Sequence, residues 1–362
     1  MLVIINSMFS FEWRRRLIHE SIVSCVGRTP LIALSRQFPP PGPAVAAKLE
    51  MLNPSGSMKD RSASHILDLG LRQGLITRNT HLLESTSGNF GIALAMVARV
   101  RDLSLTCVVD PGITPSNLRI LRTLRANIET VTEPDECGSY LAARIERVRA
   151  LAESIEESFW VNQYANELNW RAHDEGTGAE ILAELDRPID YLVAPVSTTG
   201  TILGVSRCLR RAFPALRVVA VDAIGSVIFG GSPGPRKIPG LGANRVPELL
   251  SPGEIDDVIW VSDREAAAGC RELAVSEGIL AGGSSGAVVA AIGKLLPQLP
   301  SSAEILAILP DRGERYLDLV YDDEWCAALP HLLSNNASHG EAEPFGLFAE
   351  SNDGEIFDDC RH

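Results

Sequence analysis

Asn53-Pro54-Ser55-Gly56-Ser57-Met58-Lys59-Asp60-Arg61 decides the reading of this chain. The apolar run Val45 to Met51 leads into it as a strand, Pro54 and Gly56 break that strand, and a helical pattern begins just after Lys59. A lysine held at a strand-to-helix turn can condense with an aldehyde. Taken alone, the stretch reads first as a surface turn with a solvated lysine, since most lysines do nothing chemical. Two further stretches repeat the form of strand, glycine-rich turn and helix: Ser85-Thr86-Ser87-Gly88-Asn89-Phe90-Gly91 and Gly282-Gly283-Ser284-Ser285-Gly286. Another, Ser197-Thr198-Thr199-Gly200-Thr201, ends an apolar strand and opens a helix. Backbone N–H groups, hydroxyls and the positive helix end suit a dianionic phosphate there; a plain N-cap is the simpler alternative.

Working outward, the 362 residues suffice for one large core or two ordinary ones. A hydrophobic share of 45% with 22% charged residues is ordinary globular composition. The net charge of −13 argues against nucleic acid, which wants a basic face. About half of that charge sits in Asn335 to His362, with seven acids against one Arg. The seven cysteines are scattered without a CxxC, as expected of core thiols in a reducing compartment. Cys25 and His19 are too few to make a metal site. No apolar run reaches membrane-spanning length. Apolar residues Met1 to Phe11 precede Arg14-Arg15-Arg16, the reverse of a secretory signal, so a cytoplasmic protein is expected, with Met8 a second candidate start.

Short, wholly apolar runs at Leu82–Glu84, Leu105–Asp110, Ile128–Val131, Tyr191–Val196, Val218–Ala223, Val258–Val261 and Ile305–Leu309 read as strands. Helical patterns follow most of them, at Phe90–Val100, Pro115–Arg125, Gly138–Ile155, Gly200–Phe213, Asp263–Glu277 and Ser285–Leu296. Buried strands between helices mean an α/β fold with a largely parallel sheet covered on both faces. Phe38-Pro39-Pro40-Pro41-Gly42-Pro43 reads as a stiff surface loop. No GxGxxG follows a strand and no GxxxxGK[ST] occurs, so nicotinamide and P-loop nucleotides are poor candidates. From Asn335 the pattern stops, which reads as disorder or as a docking tail.

Together with Lys59, these segments resemble the four active-site segments of the fold-type II pyridoxal-phosphate enzymes, the cysteine synthase family, in order and spacing. The resemblance implies a two-domain, tryptophan synthase β-like, three-layer αβα architecture. Residues 52–160 would carry the lysine and the Ser-Gly-Asn turn. Residues 30–51 and 161–328 would carry the phosphate loop, leaving 335–362 as an acidic tail. It implies pyridoxal 5'-phosphate as cofactor, no metal, and a homodimer. Lys59 would be the Schiff-base lysine and the base for the substrate α-proton. Asn89 would hold the ring hydroxyl, and Ser197, Thr198, Thr199, Gly200 and Thr201 the phosphate. Ser284, or Ser285 in the neighbouring register, would face the pyridine nitrogen. Thr86, Ser87 and Gly88 would bind the substrate carboxylate. A neutral serine at the ring nitrogen favours rapid loss of a β-leaving group over a long-lived carbanion.

The chain departs from cysteine synthases at Ser197 and Thr199, where their phosphate loop has glycine, and in Asn162 to Trp170, which lacks their proline. Pro195 to Gly200, Val221-Asp222-Ala223 with Gly225 to Gly230, and Leu309 to Tyr316 are similar to a narrower branch, the N-(2-amino-2-carboxyethyl)-L-glutamate synthases. That branch joins O-phospho-L-serine to L-glutamate on the way to 2,3-diaminopropionate for siderophores and peptide antibiotics. By this likeness Arg144 would face the phosphate of phosphoserine, and Tyr164 and Ser197, assisted by Gln163, would line the pocket of the second amino acid. Arg144 as a solvated helix residue and Tyr164 as core packing are the simpler alternatives. A sulfide-using cysteine or cystathionine synthase, a serine or threonine deaminase, and a non-catalytic scaffold are the competing functions.

Overall fold

The computed structural model describes residues 18–135 and 140–330. Two sheets organise it. The larger has six strands in the order β1-β2-β10-β7-β8-β9, and the smaller has four in the order β5-β4-β3-β6. The large sheet is built from β1 (Leu31–Ala33), β2 (Ala44–Leu49), β7 (Tyr191–Pro195), β8 (Arg217–Ala223), β9 (Asp257–Val261) and β10 (Glu304–Leu309). The small sheet is built from β3 (His81–Ser85), β4 (Ser104–Val109), β5 (Asn127–Thr130) and β6 (Ser158–Trp160). Every pairing is parallel except β1 with β2. The central strands are apolar because helices cover both faces: Leu192, Val193 and Ala194 of β7 and Val218 to Val221 of β8 have no exposed surface.

The helices relevant to the site are α1 (Lys59–Arg72), α2 (Asn89–Val100), α3 (Pro115–Thr123), α4 (Tyr140–Ser154), α5 (Leu168–Ala172), α6 (Ala179–Glu184), α7 (Gly200–Arg210), α8 (Asp263–Glu277) and α9 (Gly283–Leu295). The strand expected over Val45–Met51 ends at Leu49, and a 3₁₀ turn, Glu50–Leu52, takes its last residues. Between α5 and α6 the chain runs as one turn of π-helix, His173–Gly178. This stretch carries no helical reading in the sequence, because its buried positions are polar or small: Asn169, His173, Thr177 and Gly178. They are buried because α5 and α7 nearly touch. A Cβ on Gly204 would lie 2.2 Å from Trp170 O, and one on Gly178 would lie 2.5 Å from Cys208 Cβ. The expected Gly138–Ile155 helix is described from Tyr140, and the acidic tail lies outside the described residues.

Arg61, one turn into α1, fixes the lysine segment. Its Nε donates to Glu50 Oε2 at 2.6 Å and its Nη2 to Glu180 Oε2 at 2.7 Å. Lys48, fully buried on β2, lies 2.8 Å from Glu184 and 3.3 Å from Glu180. Paired guanidinium and ammonium groups hold Glu180 down to about 2, against its burial. The network ties β2, α1 and α6 together around the turn that carries Lys59.

Candidate active site

A cavity of about 290 Å³ brings together Lys59, Thr86, Ser87, Gly88, Asn89, Arg144, Gln163, Tyr164, Ser197 and Ser284. The lysine turn and the turns before α2 and α7 lie beyond the carboxyl ends of parallel strands β2, β3 and β7 of the two sheets. The Gly282 turn, expected to follow a strand, instead follows α8, and before it Ala281 makes only an isolated bridge to Arg312. Thr198, Thr199, Gly200 and Thr201 lie behind the cavity wall and are buried.

Lys59 reaches the cavity from the first position of α1. Burial lowers its ammonium to about 8, with Asp311 pulling the other way. About a tenth is therefore the free amine at pH 7, the form that condenses with an aldehyde, far more than for an ordinary lysine.

The phosphate loop passes a direct test of fit. None of the backbone N–H groups of residues 197–201 has an acceptor among the described residues. Buried donors left this way are costly, and they point from the positive end of the eleven-residue α7. A phosphate dianion satisfies both features. Thr199 takes a left-handed conformation (φ 62°) to turn the chain into the helix. The hydroxyls contribute differently from the expected cradle. Thr199 Oγ1 donates to Thr198 O at 2.7 Å, Thr198 Oγ1 accepts from Asn169 Nδ2 at 3.1 Å, and Thr201 Oγ1 lies 3.1 Å from His173 Nε2. The donors left for an anion are the main-chain N–H groups and the hydroxyls of Ser197 and Thr198, the latter only accepting from Asn169. His173 backs the loop from the π-helix. Burial, then Lys59 and Arg61, hold it well below the usual imidazole range, so it is neutral.

The turn before α2 repeats the pattern. The N–H groups of residues 87–90 have no acceptor among the described residues, and Gly91 N donates to Thr86 Oγ1 at 3.2 Å. Asn117 Nδ2 holds Ser87 O at 3.0 Å. A carboxylate fits at this helix start. Arg144, on α4, lies beside it: Nη1 is 3.5 Å from Ser87 Oγ, and Nε is 3.2 Å from Asp110 Oδ2. Its charge is thus already shared with a carboxylate. Tyr164 lies under the Arg245 guanidinium, 4.8 Å from ring centroid to carbon.

The sequence reading missed the residue at the centre of the site. Asp311, 2% exposed, accepts from Asn89 Nδ2 at 2.7 Å, from Ser284 Oγ at 3.3 Å, and from the Tyr316 hydroxyl. Arg315 donates to Asn89 Oδ1 and to Ser55 O. The two residues expected to touch the cofactor ring are thus joined through one carboxylate. Asp311 stands in the Leu309–Tyr316 motif, but its role depends on partners far away in sequence. Ser284 lines the cavity, whereas Ser285 is buried behind it with a hydroxyl unpartnered among the described residues.

A buried lysine amine beside helix ends with free N–H donors, between the two sheets of an α/β fold, is the arrangement of a cofactor-dependent enzyme. The chain belongs to the pyridoxal-phosphate dependent enzyme family, whose model matches residues 22–311. Among solved structures, the O-acetylserine dependent cystathionine beta-synthase of Helicobacter pylori is 35% identical, with TM-score 0.78, over 83% of this chain and 98% of its own. An O-ureido-L-serine synthase is 35% identical, with TM-score 0.79, over 86% and 100%. A hydrogen sulfide-producing enzyme from Fusobacterium nucleatum is 29% identical, with TM-score 0.77, over 83% and 100%. Among the described residues no helix is long and apolar enough to cross a membrane, and no group of three or more His, Cys, Asp or Glu side chains can hold a metal ion.

Proposed function

We propose that this enzyme carries out β-replacement, joining O-phospho-L-serine to L-glutamate with release of phosphate. The product would be N-(2-amino-2-carboxyethyl)-L-glutamate, a precursor of 2,3-diaminopropionate. The observation that supports it is the number of anion receptors around one cavity: two helix N-termini, Arg144, and the hydroxyls of Tyr164 and Ser197. Two of the similar structures are named for a β-substituted serine, O-acetylserine and O-ureido-L-serine, and that theme extends to this chain.

Pyridoxal phosphate, when bound, supplies the aldehyde that links to the substrate amine and the ring that takes up the electron pair of the broken Cα–H bond. Lys59 would tether it, the N–H groups of 197–201 would hold its phosphate, and Asn89 and Ser284 would meet its ring. The N–H groups at the start of α2 hold the donor's carboxylate and so fix which Cα substituent faces Lys59. The free Lys59 amine takes the α-proton. Arg144 stabilises the phosphate as its bond to Cβ breaks. Ser197 and Tyr164 hold a carboxylate of glutamate and aim its amine, once deprotonated, at Cβ. Burial of these steps in a closed cleft strengthens each contact.

Mass spectrometry of products from phosphoserine mixed with glutamate or with sulfide tests this reading. A glutamate adduct with stoichiometric phosphate supports it, and cysteine alone overturns it. A second reading, use of O-acetylserine with sulfide, is favoured by one observation: Arg144 is already paired with Asp110, which lowers its advantage for a dianionic leaving group.

A further inference from the structure

The cavity holds one cation without a task in the reaction above. Arg236 lies on the long segment between β8 and β9, and it lines the same cavity as Lys59. Its Nη1 donates to Leu241 O at 2.7 Å and its Nη2 to the Asn244 side chain. Its Nε is buried with no acceptor. The acidic groups that act on it are Asp222, Tyr164 and Asp263, and among the described residues none forms an ion pair with it. Asp222 Oδ1 is engaged by Ala223 N at 2.8 Å while its Oδ2 is buried with no hydrogen-bond partner among the described residues, and the carboxylate of Asp263 is engaged by the N–H groups of Lys237 and Ile238. The loop folds tightly over the guanidinium. Gly242 (φ +69°) passes so close that a Cβ there would lie 2.9 Å from Nη1.

A second cavity, of about 650 Å³, abuts the first, and both are lined by Leu141 and Asn244. Arg245 lines this outer space, stacks on Tyr164, and pairs with the exposed Glu248. A path from the outer cavity into the inner one therefore passes Asn244, beside which Arg236 sits.

We propose that Arg236 receives the side-chain carboxylate of the amino-acid nucleophile, so that the second substrate is a dicarboxylic amino acid. This rests on the reading above that an amino-acid amine attacks Cβ. The other anions are already placed: cofactor phosphate at 197–201, donor carboxylate at the start of α2, leaving phosphate at Arg144. A guanidinium at the cavity wall that forms no ion pair among the described residues is completed by an incoming carboxylate, and guanidinium donors suit a carboxylate. An α-carboxylate and an α-amine are common to all amino acids and cannot choose among them. The choice falls to a receptor for the side chain, and Arg236 supplies the charge for it.

The test measures KM and kcat for L-glutamate and L-glutamine with the holoenzyme at saturating phosphoserine, for wild type, Arg236→Met and Arg236→Lys. Thermal unfolding and the visible absorption of bound pyridoxal phosphate check that each variant is folded and loaded. Arg236→Met should raise the glutamate KM about tenfold to a hundredfold, the loss expected of a charge-assisted contact. Its glutamine KM should move by less than about threefold, and Arg236→Lys should recover part of the preference. An equal rise in both KM values would overturn the proposal, since Arg236 would then serve the common α-carboxylate or the loop. If wild type uses sulfide and no amino acid, the β-replacement reading with glutamate fails by itself. Arg236 is then judged by glutarate, which should inhibit sulfide use by wild type and much less by Arg236→Met. Equal inhibition of both proteins overturns the Arg236 assignment.

Discussion

Asn89 Nδ2 lies 2.7 Å from Asp311 Oδ2, so the first turn of α2 is bonded directly to the loop after β10. The same carboxylate accepts from Ser284 and Tyr316. Three donors converge on one side chain that has two acceptor oxygens. An asparagine there keeps only one acceptor and presents an NH₂ to the others. Asp311→Asn is therefore expected to weaken pyridoxal phosphate binding about tenfold or more, read by absorbance titration of cofactor-free protein. Unchanged affinity would show that Asn89 and Ser284 hold their places without it.

Lys59→Ala should lose both the visible absorption and turnover, because tether and base are removed together. The loss should exceed the ~10²–10⁴-fold typical of one general base. The cofactor-free wild type offers a pH test of the same group. The reacting form is the free amine, and its ammonium is lowered to about 8. Capture of added pyridoxal phosphate should accelerate as pH rises through about 8 and level off above it. A flat profile across that range would remove the case for an activated lysine.

Donor choice turns on Arg144 and Asp110 together. Arg144→Ala should raise the KM for phosphoserine about tenfold to a hundredfold and leave O-acetylserine nearly unchanged. Asp110→Asn should act the other way, lowering the phosphoserine KM by freeing the guanidinium. If both substitutions change the two donors alike, the pair is structural.

Ser197→Gly and Tyr164→Phe address the nucleophile. Single-turnover release of phosphate from phosphoserine should stay within about threefold of wild type, while consumption of glutamate slows by about tenfold or more. Ser197→Gly should also accept sulfide more readily, since a hydroxyl gives way to bare backbone. Wild-type rates of glutamate consumption in both variants would assign nucleophile choice to other residues.

Glu84, next to last in β3 before the carboxylate turn, is pushed by burial from 4.5 up to about 8, with the N–H groups of Asn162 and Gln163 and then Arg144 acting in the opposite sense. Between those values the unfolded chain is ionised while the folded one keeps its proton, so stability falls as pH rises through the window. Glu84→Gln removes that dependence. Its stability relative to wild type in chemical denaturation should therefore increase from about pH 5 to about pH 8. Parallel profiles for the two proteins would mean that Glu84 is ionised in the fold.

What could be read from sequence follows from range. The parallel sheets were legible because their strands are short and wholly apolar, and the four turns because their glycines and hydroxyls are contiguous. β1 and β6, three residues each, carry too little pattern to register. The α5 to α6 stretch hid its helices because close packing against α7 replaces apolar side chains with glycine, histidine and asparagine. Asp311 stood in a quoted motif and Arg236 in none, and nothing local distinguishes either. Asp311 meets Asn89 across 222 residues, and Arg236 matters because a folded loop places it at a cavity wall.

β2 leads almost at once into Lys59, and β2 pairs in parallel with β10, from Ala44 opposite Glu304 to Leu49 opposite Leu309. The earliest functional residue is thus seated by one of the last strands to be synthesised. On the ribosome, a chain that has not yet emerged past Glu304 has neither the strand that anchors the lysine segment nor the carboxylate that joins Asn89 to Ser284. Cofactor capture is accordingly a late event in the life of the polypeptide, and it marks molecules whose sheet is complete.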